Sequence, residues 1–406
     1  MTVGIITHTF PDENLDTSGI ANHFNLLAEG LSELDHKVVV LHFKFSSLKQ
    51  EVENRYINKN IRIEIHHIYI NDNITRVFLK RWSFIEFYKR WRQLLYVYFK
   101  INNLVKKYNL DIIETSSFYS LCFLPIFFKS TKIPIVIRVS TLYRQVIDNY
   151  LPVKSQLLKK IADLELEMIR RSNFLITHSK HHQAEIAGYF KEKLDFFIIP
   201  HGINIPINSN KKSTSTKKRV LFVGRIEHRK GIDILLKAIP HVFKNIQSEV
   251  EFIIIGKDES GYFENNFIHD ESLIEVSKNI KYLGALTDEE LNNHYSECDI
   301  LVVPSRYESF GLIIVEAMSY SKPVVCFEVG GIREIVIHGY NGLFAEFENA
   351  TEFADHIVFL LENEKTCIEM GQNARATVLN SFSKERLAQA SLNHYVHVIN
   401  EFNSKK

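Results

Sequence analysis

Short apolar runs that stop at a glycine or a polar turn alternate with helix-period segments along this 406-residue chain, and that alternation constrains its fold most. Val3 to Thr7, Val38 to Phe43, Ile61 to Tyr69, Asp111 to Glu114, Ile133 to Val139, Phe174 to Ser179 and Phe196 to Ile199 read as strands. Ile20 to Leu34 and Lys154 to Ser172 read as the amphipathic helices between them. The pattern breaks once, at NSNKKSTSTKK (Asn208 to Lys218), a polar, basic and aperiodic stretch that reads as a linker. Beyond it the same grammar restarts. Arg219 to Val223, Glu251 to Ile255, Ile280 to Leu283, Ile300 to Val303 and Val324 to Phe327 are strand candidates, with helices expected over Ile232 to Phe243 and Asp288 to Glu297. A chain of this length exceeds what one core usually holds. Two doubly wound α/β domains facing each other across a cleft are therefore the expected architecture.

Composition narrows the setting. An apolar content of 45% and a charged content of 24% describe an ordinary globular protein. Cys122, Cys298, Cys326 and Cys367 form no CxxC pair, which favours a reducing compartment and speaks against a structural zinc or iron–sulfur site. The start, MTVGIITHTF, reads as a first strand and not as a signal peptide, and no run of about 18 uncharged apolar residues occurs, so a cytoplasmic protein is expected. Net charge is +1 overall but divides unevenly. Residues 1–205 carry 27 Lys and Arg against 20 Asp and Glu, and the remainder 22 against 28. The basic half is where an anionic partner is expected.

Within that half, residues 76–107 stand out. VFLKRWSFIEFYKRWRQLLYVYFKINNLVKK places Phe84, Phe87, Tyr88, Trp91, Leu94, Leu95 and Tyr98 at helical spacing beside Lys80, Arg81, Lys89, Arg90, Arg92, Lys100, Lys106 and Lys107. Such a helix suits the surface of an anionic membrane, and it equally suits packing of the aromatic face on its own domain. The apolar stripe and the absence of a nucleic-acid module speak against nucleic-acid binding.

The chemistry concentrates in VPSRYESFGLIIVE, Val303 to Glu316, where a strand passes through a polar turn closed by Gly311 into an apolar run. It delivers Arg306, Glu308 and Glu316 to one strand-to-helix junction, where carboxylates can bind hydroxyls and free amides can bind an anion. A helix cap with one buried, paired glutamate is the alternative. GRIEHRKG sets Arg225 and Lys230 at a comparable junction, suited either to a diphosphate or to a solvated charged turn; it lacks the GxxxxGK[ST] of a P-loop. Gly19 opens the first helix, where a glycine allows close approach of a phosphate or sugar or simply eases the turn. Arg138, Ser140, Thr141, Tyr143 and Arg144 are candidates to receive an acceptor, with a surface salt bridge equally open to either arginine. The neighbouring pairs His66–His67 and His181–His182 point in divergent directions, and no metal site is expected.

Taken together, GRIEHRKG, KYLGALTDEE, VPSRYESFGLIIVEAMSYSKPVVCFEVGGIREIV and NGLF resemble the retaining nucleotide-sugar glycosyltransferases of family 4, which have the GT-B fold. The resemblance is strongest in the second half, above all in the seven residues separating Glu308 from Glu316. It implies an acceptor-binding Rossmann-like domain over 1–205, a nucleotide-sugar domain over 219–381, and a final helical segment, 382–406, crossing back to the first domain. It implies that Arg225 and Lys230 hold the donor diphosphate, that Glu308 contacts the sugar and that Glu316 holds the ribose. Amides near Phe310, Gly311 and Leu312 would meet the phosphate or sugar, Lys257 and Leu283 would flank the base, and Gly19 would lie near the phosphate and the acceptor. The implied donor is a nucleoside diphosphate sugar, UDP-linked in preference to GDP-linked, with no metal or other cofactor. The acceptor would be a glycan, a lipid-linked carrier or a small glycoside, reached at the inner face of the cytoplasmic membrane if the segment 76–107 docks there. A nucleotide-sugar epimerase and a membrane-surface scaffold are the competing functions. Two departures are visible: many relatives carry two glycines before the first helix where this chain has Ser18 and Gly19, and many carry a histidine where this chain has Ser140 or its neighbours.

Overall fold

The computed structural model describes residues 1–11, 19–46, 53–56, 63–71, 82–150, 156–206, 217–259, 261–267 and 271–405. The central part of the expected linker, Ser18 and residues 76–81 lie outside the described residues. The chain forms two compact units, Met1–Gly202 with Lys384–Lys406, and Ile203–Ser383.

Unit 1 runs β1 (Thr2–Thr7), α1 (Gly19–Glu33), β2 (Lys37–Ser46), β3 (Glu53–Tyr56), β4 (Ile63–Asn71), α2 (Trp82–Tyr108), β5 (Ile112–Ser116), α3 (Phe123–Phe127), β6 (Ile135–Arg138), α4 (Tyr143–Tyr150), α5 (Gln156–Arg171), β7 (Leu175–Thr177), α6 (Lys180–Ala187) and β8 (Phe196–Ile198). Its sheet has the order β3-β4-β2-β1-β5-β6-β7-β8 and is parallel except for β3, a short antiparallel edge strand that the apolar pattern did not signal. Its strands read as continuous apolar runs because both faces are covered. Val3, Ile5, Val38 and Val40 enter one core with Phe24, Leu27 and Leu31 of α1, while Ile6, Val39 and Leu41 enter the other with Leu94, Val97 and Ile101 of α2.

That packing divides the aromatic stripe of α2. Its Leu94 side joins the core, whereas Phe84, Trp91 and Phe99 are 42%, 38% and 70% exposed. Arg90, expected on the basic face, is buried: it donates to the Phe118 carbonyl (2.7 Å) and to Glu86 (2.8 Å), and its guanidinium lies 4.2 Å from the rings of both Tyr119 and Tyr143. The stripe is wider than one interface can cover, and the long arginine reaches inward from its border.

Unit 2 runs β9 (Lys218–Val223), α7 (Ile232–Asn245), β10 (Val250–Ile255), α8 (Tyr262–Phe267), α9 (Glu271–Ile274), β11 (Ile280–Tyr282), α10 (Asp288–Glu297), β12 (Ile300–Val303), α11 (Leu312–Ser319), β13 (Val324–Phe327), β14 (Gly342–Ala345), α12 (Ala350–Glu362) and α13 (Glu364–Ser381). All six strands are parallel, in the order β11-β10-β9-β12-β13-β14. The start of α10 is fixed by a capping box in which Thr287 accepts from the Glu290 amide and Glu290 accepts in return from Thr287. The last helix, α14 (Lys384–Ser404), belongs to unit 1, where Leu387, Ala388, Tyr395 and Val398 pack with α1 residues in the core.

Candidate functional site

In unit 2 the chain leaves β9 toward β10 and β11 on one side and β12 toward β13 and β14 on the other, so the crevice at the carboxyl ends of β9 and β12 is the topological switch point. The β9 loop carries Arg225 and Lys230, and the β12 loop carries Glu308. Two glycines let the backbones approach. A Cβ on Gly231 (φ +72°) would lie 1.8 Å from the Pro304 carbonyl oxygen, and one on Gly330 (φ +52°) would lie 1.9 Å from that of Glu308. The Gly331 amide donates to the same Glu308 carbonyl at 2.9 Å.

Arginines then staple the two loops. Arg306 donates to both carboxylate oxygens of Asp233 at 2.8 Å and to the His228 carbonyl at 2.6 Å, and it also pairs with Glu348. Its expected place at the ligand junction is thus corrected: a bidentate fork is used to fasten the β12 loop to α7. Arg229 reciprocates by donating to the Tyr307 carbonyl at 3.2 Å.

The staples bring Lys230 Nζ to 2.5 Å from Glu308 Oε1, which also accepts from Ser305 Oγ at 3.0 Å. Glu308 is buried, and its neighbour Phe310 faces the core, edge-on to Phe382 at 5.8 Å between ring centres. Gly311 precedes α11, whose amino terminus no side chain caps; the Ile314 and Val315 amides turn back to the Gly311 carbonyl, which leaves the Leu312 and Ile313 amides as donors for a ligand. Within α11, Glu316 accepts from Tyr295 Oη at 2.8 Å, and burial pushes its carboxyl above the usual range against the pull of that bond. Arg225 is exposed, 3.4 Å from Glu227. Lys257 pairs with Glu259 at 2.7 Å after β10, and Leu283 follows β11 with its side chain 39% exposed. These residues all follow the carboxyl ends of adjacent strands. Gly19 belongs to unit 1, at the start of α1, with open space where a Cβ would stand.

Tyr295, Ser305, Asp233 and the Gly330–Gly331 pair were not singled out from the sequence, although the last two stand in full view as GID and VGGI. Ser305 and Tyr295 carry no signal of their own, since one is a turn serine and the other one aromatic among many.

At the carboxyl edge of unit 1 the charges pair with each other. Arg138 donates to Glu114 at 2.6 Å and to the Ile199 carbonyl at 3.3 Å, so it is buried and does not present itself to an acceptor as expected. Tyr395 of α14 donates to the other Glu114 oxygen. Burial alone would raise the Glu114 carboxyl, but Arg138, His23 and Tyr395 together hold it at about 2. His201 lies 3.1 Å from His23 between their Nδ1 atoms and stacks on His178. Tyr143 is buried under Arg90, Arg144 faces Asp163 at 3.7 Å, and the Ser140 hydroxyl is buried without a hydrogen bond. Among the described residues, no group of three or more His, Cys, Asp or Glu could hold a metal ion, and no helix is long and apolar enough to cross a membrane.

Two family models match adjoining parts of this chain: the one described as Glycosyltransferase Family 4 over residues 17–205, and the one described as Glycosyl transferases group 1 over residues 205–377. An uncharacterized glycosyltransferase of Methanocaldococcus jannaschii is 35% identical over 196 residues, which are 47% of this chain and 52% of that protein. The chain spans about half the length of several such curated relatives. Among solved structures, sucrose-phosphate synthase from Thermosynechococcus elongatus is similar with a TM-score of 0.70 at 18% identity, over 98% of this chain and 99% of that one. Anabaena HepE in complex with UDP-glucose is similar with a TM-score of 0.64 at 19% identity, over the whole of both chains. At such identities the likeness is one of fold. With two parallel-sheet units of the Rossmann kind and these two adjoining matches, the chain belongs to the GT-B glycosyltransferases of family 4 and group 1.

Proposed function

We propose that this protein transfers a sugar from a nucleoside diphosphate sugar to a hydroxyl of a glycan, lipid-linked or small glycoside acceptor, with retention of the anomeric configuration. The observation that carries the reading is the partly buried Lys230–Glu308 pair at the switch point of unit 2, beside an amino terminus that no side chain caps. Lys230 and Arg225 supply positive charge to the departing diphosphate, and the amides around Phe310, Gly311 and Leu312 supply donors to it. Glu308 orients the sugar through its hydroxyls, Glu316 holds the ribose, and Lys257 and Leu283 flank the base. Gly19 leaves room for phosphate or acceptor at the start of α1. The acceptor attacks on the face that the diphosphate leaves, and a phosphate oxygen takes its proton. Neither glutamate is asked to form a covalent intermediate, so the paired-acid logic of glycosidases does not apply. The complex of HepE with UDP-glucose favours a UDP-linked donor over a GDP-linked one.

Attachment to the cytoplasmic face of an anionic membrane is part of the reading. The exposed Phe84, Trp91 and Phe99 recur at intervals of seven and eight on one face of α2, and Lys89, Arg92 and Lys100 lie on the same helix. Vesicle sedimentation of Trp91→Ala/Phe99→Ala should show loss of binding to anionic but not zwitterionic lipid. Equal sedimentation of the double variant and the parent would remove the membrane contact.

The activity is tested by incubating the protein with a panel of UDP and GDP sugars, with and without acceptor mixtures. Acceptor-dependent release of nucleoside diphosphate is expected, with the transferred sugar keeping its anomeric configuration. A new nucleotide sugar formed from donor alone would replace this reading with epimerisation. No release from any donor would sink the enzyme reading and leave a scaffold.

A further inference from the structure

Both motif glutamates have one oxygen engaged by the protein and one left over. Glu308 Oε1 accepts from Lys230 and from Ser305, and among the described residues no hydrogen bond reaches its Oε2. Glu316 Oε2 accepts from Tyr295, and no such bond reaches its Oε1. Neither leftover oxygen is among the buried polar atoms that lack a partner. The backbone around Glu308 is closely packed: its carbonyl accepts from the Gly331 amide, and it occupies the space a side chain on Gly330 would need, as the Pro304 carbonyl does for Gly231. What remains adjustable is the rotation of the carboxylate itself.

A bound diphosphate would share the Lys230 ammonium with Glu308, so Lys230 alone does not fix that rotation throughout a reaction cycle. Ser305 has no such competitor. It is 1% exposed, and its hydroxyl reaches Glu308 from three residues earlier in the same loop. Tyr295 holds the corresponding place for Glu316. Its ring is 1% exposed and stacks on Tyr320 with centres 6.0 Å apart, so its hydroxyl is fixed in direction.

Resting on the donor-binding reading above, we infer that Ser305 and Tyr295 are positioning residues that divide the donor between them. Ser305 turns Glu308 so that Oε2 meets the sugar, and Tyr295 turns Glu316 so that Oε1 meets the nucleoside. The two substitutions should therefore have different signatures, which a general loss of structure would not produce.

The test is calorimetric titration of the full chain with UDP, UDP-glucose, UDP-N-acetylglucosamine, GDP and GDP-mannose. Ser305→Ala should weaken the preferred nucleotide sugar about tenfold and leave the matching free diphosphate within about twofold, and Ser305→Thr should restore the sugar nucleotide. Tyr295→Phe should weaken the free diphosphate and the nucleotide sugar by the same factor, about tenfold, with their ratio unchanged. Thermal midpoints of each variant report whether it is folded. Equal weakening of both ligands by Ser305→Ala, no change in either, or a Tyr295→Phe effect confined to the nucleotide sugar would overturn the division. A wild-type chain that binds none of the five ligands would instead overturn the donor-binding reading itself, and the inference with it.

Discussion

At the carboxyl edge of unit 2 a lysine and two glutamates are each engaged on one side only, whereas at the same edge of unit 1 Glu114, Arg138, Tyr395 and a group of histidines are engaged with one another. The sheets are of the same kind and the ends of the strands are in the same place. The difference lies in where the spare polar atoms sit: those of Glu308 and Glu316 are not sealed off, whereas Arg138 Nη2, His23 Nε2 and the Ser140 hydroxyl are buried without a partner among the described residues. Spare capacity at a switch point is what a ligand site needs. In unit 1 a buried Arg138–Glu114–Tyr395 network ties helix α14 to the sheet, and its removal should be felt as lost stability before it is felt as lost binding.

Acid should expose this contrast most strongly. Burial, aided by Arg138, lowers His23 to about 4, and burial lowers His182 and His394 to about 4 as well. All three belong to unit 1. A histidine with a lowered folded value stays neutral in the native state while the unfolded chain takes up the proton, so its contribution is complete above the ordinary value of 6.5 and is lost as pH falls toward 4. Each can cost up to roughly 3 kcal/mol at the low end of that window. Glu114, held at about 2, adds a second loss as pH falls from its ordinary 4.5 toward 2. Hydrogen exchange followed from pH 7 to 4 should show unit 1 opening well before unit 2. Loss of protection in both units together would erase the distinction.

Next in size is the buried pair itself. Arg138→Met leaves Glu114 charged and buried, and should cost about 3–5 kcal/mol in chemical denaturation. Lys230→Ala, its counterpart in unit 2, should cost about 1 kcal/mol or less because the remaining carboxylate keeps Ser305 and an opening to solvent, yet it should abolish donor binding. Similar losses of stability from both substitutions would mean that the two edges are built alike.

A smaller effect is expected at Gly330. Gly330→Ala places a methyl group against the Glu308 carbonyl in a left-handed backbone conformation, at a cost of about 1–3 kcal/mol. Because the strain falls on the loop that carries Glu308, donor affinity should drop along with the denaturation midpoint. Unchanged affinity would show that the loop is set by its arginine staples alone.

Much of this was legible beforehand because parallel strands covered on both faces announce themselves as apolar runs, and Ile300 to Val303 and Val324 to Phe327 fall where the sequence indicates them. The position of Lys230 after one strand, and of Glu308 before α11 and Glu316 within it, was legible through spacing along the chain. Partners chosen across elements were not. Nothing local tells that Arg306 turns to Asp233, that Arg138 turns to Glu114, or that Arg90 turns inward between Tyr119 and Tyr143, because a long arginine on an element's border can serve solvent, ligand or core equally well. The edge strand β3 was missed for a related reason: ENRY has no apolar alternation.

The most direct measurement is the equilibrium binding of UDP-glucose and of the other panel donors to the wild-type chain, to Glu308→Gln and to Lys230→Ala. One donor is expected to bind the wild-type chain, with affinity reduced at least tenfold in both variants while each keeps its thermal midpoint within a few degrees. A donor that binds the wild-type chain and both variants equally well would contradict it.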